Sequence, residues 1–174
     1  MRKISDEHKK AYAMYYANRG TPRATRPPPL VNEMAALADK IGAETIIDYG
    51  CGAARALSTF MELPVTDFDP AIPECDAWPE KADLVVCNHM LEHVENELYL
   101  THVFNDLFRL SRKGLYIGIS TERSTKMLPT GTPWHTLVRP KEWWIKRLRL
   151  EGKFTEMPIQ RPGKELAVFF GAGC

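Results

Sequence analysis

Apolar and polar positions along the chain fall into blocks whose period switches between helix and strand. Ser5 followed by Asp6 and Glu7 marks a helix start, running to about Asn18 with Gly20 as its stop. Tyr12 and Tyr16 are four apart and share one face of it. The run TPRATRPPP is a stiff, basic connector, because proline fixes φ and disfavours helix before it. A second helix fits residues 30–41, ending at Gly42. Residues 45–49 are then short, apolar and β-branched, with Gly50-Cys51-Gly52 directly behind, and residues 53–61 read as a helix with Ala56, Leu57 and Phe60 inward. Residues 64–68 predict a second strand ending at Asp69-Pro70, and residues 70–81, with three prolines, a loop.

A third strand spans 83–87, where Leu84, Val85 and Val86 are continuously apolar, as in a parallel strand buried on both faces. From about Asn96 a helix carries Leu100, Val103, Phe104, Leu107 and Phe108 on one stripe. Gly114 opens a fourth strand, 115–120; residues 121–138 lack a clear period; Pro140 starts a helix ending near Gly152. Two last strands, about 153–159 and 165–171, are joined by the turn sequence Arg161-Pro162-Gly163-Lys164 and must pair antiparallel, since parallel partners need a longer crossover. The pattern predicts an α/β fold: a Rossmann-like, mostly parallel sheet of about six strands, helices on both faces and an antiparallel C-terminal edge strand. No repeat or second domain is visible in residues 1–174, which divide into a helical, Pro-rich N-terminal cap (1–43) and a core (44–174).

Composition narrows the classes. In 174 residues, 44% are apolar and 26% charged, which excludes disordered, collagenous and coiled-coil chains. No apolar run reaches the roughly 20 residues of a membrane span, and the opening MRKISDEHKK has no apolar segment behind its bases. Four cysteines without a CxxC pair point to a reducing, cytoplasmic compartment. The net charge of +1 hides asymmetry. Residues 1–30 carry +5, residues 62–97 carry −9 and residues 139–153 carry +4. Basic flanks suit a polyanion-facing surface, or simply surround an acidic centre.

In an open parallel sheet the ligand crevice lies beyond the carboxyl ends of the strands. Asp48-Tyr49-Gly50-Cys51-Gly52 ends the first strand, and its glycines allow a sharp turn and close backbone approach to a ligand. Asp69 ends the second strand, where a carboxylate can accept both ribose hydroxyls of a nucleoside; a turn-capping role before Pro70 is the plainer alternative. Asn88-His89-Met90-Leu91-Glu92-His93-Val94 closes the third. A dinucleotide fingerprint would need glycine at Arg55, and no phosphate-binding Gly-Lys-Ser/Thr is present. His89-Met90-Leu91-Glu92-His93 matches the HxxEH zinc pattern, but that chemistry needs a helix, and His93 reads instead as a histidine holding the loop.

Taken together, IIDYGCGAA, the acid of VTDFDP and ADLVVCNHMLEHV resemble the class I S-adenosylmethionine-dependent methyltransferase family, over about residues 45–120. The resemblance implies S-adenosyl-L-methionine as cofactor. It puts Gly50 and Gly52 against the methionine and ribose portions, Asp48 near the amino group, Asp69 on the ribose hydroxyls and Asn88, His89 and Met90 beside the reacting centre. Ala54 replaces the usual third glycine. About 13 residues between Asp69 and Asp83 are too few for the family's third strand and its helix, so adenine contacts would fall to Asp76 and Ala77, with Trp78 beside them. His89 and His135 are the candidate proton acceptors, since an imidazole titrates near neutrality; a backbone-bonded loop histidine is the alternative for His135. The three tyrosines of the first helix read as a cover for the cofactor or as an ordinary packed face, and Trp134 as a stacking surface for a flat acceptor. The expected activity is methyl transfer to a nitrogen or oxygen acceptor, a small molecule or nucleic acid, by in-line displacement. The competing expectation is a catalytically reduced cofactor-binding or scaffold domain docked on nucleic acid through its basic flanks.

Overall fold

A computed structural model describes residues 4–19 and 23–171. The sheet consists of β1 (Ile46–Tyr49), β2 (Val65–Phe68), β3 (Ala82–Asn88), β4 (Ser111–Ser120), β5 (Thr155–Glu156) and β6 (Glu165–Gly171), in the spatial order β2-β1-β3-β4-β6-β5. The first four pair parallel, whereas β6 runs antiparallel to both β4 and β5. The antiparallel C-terminal edge is therefore present, with two residues of β5 outside β6. On the other side, β2 is outermost, as the short stretch between Asp69 and Asp83 requires.

Five α-helices accompany the sheet: α1 (Asp6–Arg19), α2 (Pro29–Ile41), α3 (Ala56–Phe60), α4 (Glu97–Leu110) and α5 (Lys141–Arg149). The stripe Leu100, Val103, Phe104 and Leu107 of α4 packs with Trp144 and Leu148 of α5 on Ile47, Val85, Cys87, Leu115 and Ile117. On the opposite face, Val31, Met34, Leu37 and Ala38 of α2 and Leu57 of α3 cover Ile46, Leu84, Val86 and Tyr116. Alternate residues of β3 thus feed opposite layers, which is why its sequence is apolar without interruption. Asn96 caps α4, its side-chain oxygen accepting the N–H groups of Leu98 and Tyr99 at 3.0 and 3.1 Å.

Three elements differ from expectation. The helix placed at 53–61 shrinks to α3, because Arg55 takes a left-handed conformation (φ 45°) and the Ala54 carbonyl accepts from Ala24 N at 2.9 Å instead of entering a helix. β4 begins at Ser111 rather than after Gly114: Ser111 is already extended as α4 ends and pairs with Ala82. The strand expected at 153–159 is reduced to β5, since Pro158 has no N–H to continue the ladder. Gly20, the expected stop of α1, lies outside the described residues.

Candidate functional site

A cavity of about 820 Å³ opens beyond the carboxyl ends of β1, β2 and β3 and is roofed by α1. Its size is within the roughly 300–1,000 Å³ of small-molecule sites. Gly50 has φ 82°, and any Cβ there would collide with the Met90 side chain, so the turn after β1 admits only glycine. Across β3 and β4, Asn88 lies so close over Gly118 that a larger residue at 118 would displace it. Gly52, Asn88, His89 and Met90 line the cavity with Gly50.

Asp69 also lines it and is only 8% exposed. One carboxylate oxygen accepts Gly52 N–H at 3.2 Å and the other Ala71 N–H at 2.9 Å. Burial raises its pKa, an effect the two backbone N–H groups and the charges of Arg55 and Lys9 oppose. A carboxylate offers about four acceptor positions, so two remain after the backbone bonds. Asp48 sits under the turn and lines a smaller cavity of about 320 Å³ with Gly50, Cys51, Asn88 and His89, not the main one. Burial, then the charges of Asp67 and Asp69, push its carboxyl up to about 8.

The roof is aromatic. The Trp134 ring lies 4.1 Å from Tyr15, tilted by 44°, and 5.0 and 6.5 Å from the rings of Tyr12 and Tyr16. Three contacts fasten α1 to the opposite wall: Ser5 Oγ donates to Glu95 at 2.6 Å, His8 Nε2 bonds the His93 carbonyl at 2.8 Å, and Tyr12 Oη donates to the Trp134 carbonyl at 2.6 Å. The three tyrosines therefore form a packed aromatic face that also lines the cavity.

Asp76 and Ala77, the expected adenine contacts, do not line the cavity. Both are exposed, and Asp76 pairs with Lys9 at 3.3 Å. The cause is the backbone of the loop: Asp69 N–H bonds the Cys75 carbonyl and Cys75 N–H bonds that of Ile72, folding a 3-10 turn over Pro73–Cys75 that presents Pro70 and Ala71 instead. His89 lines the cavity with both ring nitrogens engaged. Its φ of 52° directs the ring between two carboxylates, with Nδ1 at 3.1 Å from Glu92 and Nε2 at 3.2 Å from Glu165. Burial pulls its pKa down, but contact with Glu92 and Glu165 outweighs that and the net direction is up. His135 lines the cavity with Nδ1 bonded to the Glu122 carbonyl at 2.7 Å, the backbone contact foreseen as its alternative, and Nε2 is left over. Sequence reasoning also passed over Glu92, which is fully buried beside the cavity; its signal was the HxxEH pattern.

No protein-family model and no curated protein matches the chain. Solved structures do. DhpI in complex with S-adenosyl-L-homocysteine (SAH) aligns over 97% of this chain and 95% of its own, with TM-score 0.57 and 15% identity. The N-methyltransferase NodS from Bradyrhizobium japonicum, also solved with SAH, aligns over 96% and 100%, with TM-score 0.55 and 15% identity. An O-methyltransferase family protein from Burkholderia thailandensis aligns over 82% of this chain with TM-score 0.54 and 16% identity, and this chain spans 57% of that protein's length.

The fold is that of the class I methyltransferases. Within that methyltransferase fold, the glycine turn after β1, the carboxylate ending β2 and the Asn88–Met90 run ending β3 surround one cavity. No helix among the described residues is long and apolar enough to cross a membrane.

Proposed function

We propose that the protein is an S-adenosyl-L-methionine-dependent methyltransferase acting on a nitrogen or oxygen acceptor. The observation that carries this reading is Asp69: buried at the end of β2, bonded to the glycine turn and still holding acceptor capacity toward the cavity. Those two positions suit the paired hydroxyls of a ribose, and the backbone of Gly50 and Gly52 leaves room for the rest of the cofactor. The tyrosine and tryptophan rings of the roof favour a cationic ligand by their electron-rich faces.

When bound, the cofactor supplies an already activated methyl group on a sulfonium. What remains for the chain is alignment and exclusion of water. Asp69 and the glycine turn fix one end; Asn88 and Met90 line the other; the fastened α1 keeps solvent from the roof. Of the two candidate proton acceptors, His135 is the one with a ring nitrogen to spare, since both nitrogens of His89 contact carboxylates.

The scaffold alternative rests on the basic C-terminal flank, which is partly neutralised. Arg139, Lys141 and Arg147 pair within the chain with Glu97, Glu156 and Glu151, whereas Lys146, Arg149 and Lys153 are exposed. Calorimetric titration with SAH tests the proposal. Saturable 1:1 binding that Asp69→Ala weakens by about ten- to a hundredfold is the expected result, and absence of binding by the folded wild type overturns it.

A further inference from the structure

Beneath the roof, three side chains outside the proposed cofactor contacts converge. Glu92, His93 and His135 each line the cavity, and one potential ligand atom from each lies within 4.8 Å of the others. The two imidazole rings meet edge to face with centroids 4.9 Å apart.

The surrounding hydrogen bonds say which atoms are available. His93 Nδ1 lies 2.8 Å from the Trp134 carbonyl and His135 Nδ1 lies 2.7 Å from the Glu122 carbonyl. A carbonyl only accepts, so both rings carry a proton on Nδ1; His93 Nδ1 also lies 2.9 Å from Tyr12 Oη, and the neutral form of either ring has its free lone pair on Nε2. That second contact, from the far ring nitrogen to a backbone carbonyl, is the one metal-ligating histidines make, because it fixes tautomer and ring orientation. Glu92 completes the set. Its Oε1 accepts from Ser120 N–H at 3.1 Å and meets His89 Nδ1 at 3.1 Å, whereas Oε2 is buried and without a hydrogen-bond partner. An unpartnered carboxylate oxygen inside a protein costs free energy unless something positive meets it.

We propose that Glu92, His93 and His135 bind a divalent transition-metal cation. Two imidazoles and one carboxylate form a borderline donor set that suits zinc, manganese, iron or cobalt better than magnesium or calcium. Atoms about 2.1 Å from a shared cation lie about 3.4 Å apart in a tetrahedron. Three atoms within 4.8 Å of one another must therefore draw together when the cation binds, and they leave further coordination positions for water or substrate. The HxxEH pattern thus contributes its last two residues, while His135 from the irregular 121–138 segment takes the place that His89 would hold in a zinc peptidase. His89 instead supports Glu92 through Oε1.

On the methyltransferase reading, a cation here would draw an acceptor by an oxygen atom and acidify its hydroxyl, which narrows the acceptor class from nitrogen or oxygen to oxygen. His135 would then hold the cation rather than the acceptor's proton. Cation binding itself does not depend on that reading.

The test is a Co²⁺ titration of the untagged, metal-stripped protein, followed by visible absorption and calorimetry, with SAH titrated separately. One Co²⁺ per chain is expected, with d–d bands in the visible, and with affinity reduced at least tenfold in His135→Ala and in Glu92→Gln. His102→Ala, on the outer part of α4, should bind as wild type. Because Glu92 is fully buried, circular dichroism must show that Glu92→Gln is folded; His135→Ala, nearer the surface, carries the test if it is not. Saturable Co²⁺ binding that disappears in His135→Ala supports the site. No binding by the folded wild type, or equal binding by wild type and His135→Ala, overturns it. SAH binding with no Co²⁺ binding would sink the metal site alone, and the converse would sink the methyltransferase reading alone.

Discussion

The carboxylate of Asp69 accepts the backbone N–H of Gly52 at 3.2 Å, tying the end of β2 to the turn that follows β1. One side chain therefore shapes the glycine turn and offers its remaining lone pairs to a ligand. Asp69→Ala should lower affinity for SAH by ten- to a hundredfold, since a hydrogen bond to a charged group is worth about 1.5–3 kcal/mol. It should also destabilise the fold by about 1–3 kcal/mol, because Gly52 and Ala71 N–H groups lose their acceptor. Asp69→Asn, which keeps one acceptor oxygen, should fall between. Calorimetry and urea unfolding on the same samples separate the two effects; full SAH affinity in a folded Asp69→Ala protein would remove Asp69 from the site.

Gly50 and Met90 are matched in the same way. A methyl group at 50 meets both the left-handed φ of 82° and the Met90 side chain. Gly50→Ala should cost about 1–2 kcal/mol from the backbone alone, with more from the clash. Met90→Ala in the same chain removes the nearer Cγ but keeps Cβ, itself 2.8 Å from the added methyl, so it should return part of the clash and none of the backbone portion. A double-mutant cycle by urea unfolding reads this directly, and additive single-site effects would show that the two residues do not meet.

How much of this was legible beforehand follows from what each element depends on. β3 and α4 announce themselves because their apolar residues are contiguous or regularly spaced, and burial alone decides such patterns. Gly50, Gly52 and Asp69 could be placed beside the main cavity because they follow strands whose order the topology rules fix, whereas Asp48, inside β1, turns to the smaller cavity. Asp76 and Ala77 could not. Their position is set by backbone hydrogen bonds inside the 70–81 loop, which leave no side-chain signature. His135 was found but its surroundings were not, because His93 lies 42 positions earlier and only the fold of the 121–138 segment brings them together. The shortening of α3 came from a left-handed Arg55, a conformation that an arginine does not advertise.

Trp134 joins the roof together, with the rings of Tyr12, Tyr15, Tyr16 and His93 all around it. Trp134→Ala should loosen α1 over the cavity while leaving the sheet intact. A stability loss of about 1–3 kcal/mol is expected, less than for a fully buried tryptophan, which costs about 3–5 kcal/mol. Amide hydrogen exchange should rise in residues 6–19 and stay unchanged in β3. SAH should also dissociate faster in stopped flow. Unchanged protection of α1 would show that Ser5–Glu95 and His8–His93 hold the roof without the aromatic cluster.

Asp48 gives a prediction in pH. Its folded carboxyl is pushed up to about 8, by burial first and then by Asp67 and Asp69; in the unfolded chain it titrates near the ordinary value of about 3.9. Between these two values the folded protein keeps a proton that the unfolded chain has released. Asp48's contribution to stability is therefore complete below about pH 4, declines as pH rises, and is gone above about pH 8. The slope is at most about 1.4 kcal/mol per pH unit. Asp48→Asn keeps the shape of the protonated carboxyl and has nothing to release, so it should behave like wild type near pH 4.5 and become progressively more stable than wild type toward pH 8.5. Urea unfolding at half-unit intervals measures the difference, in which titrating groups other than Asp48 and its neighbours Asp67 and Asp69 cancel between the two chains. A difference that stays flat across that range would mean that Asp48 is ionised in the folded protein, with a cation or solvent reaching it beneath the glycine turn.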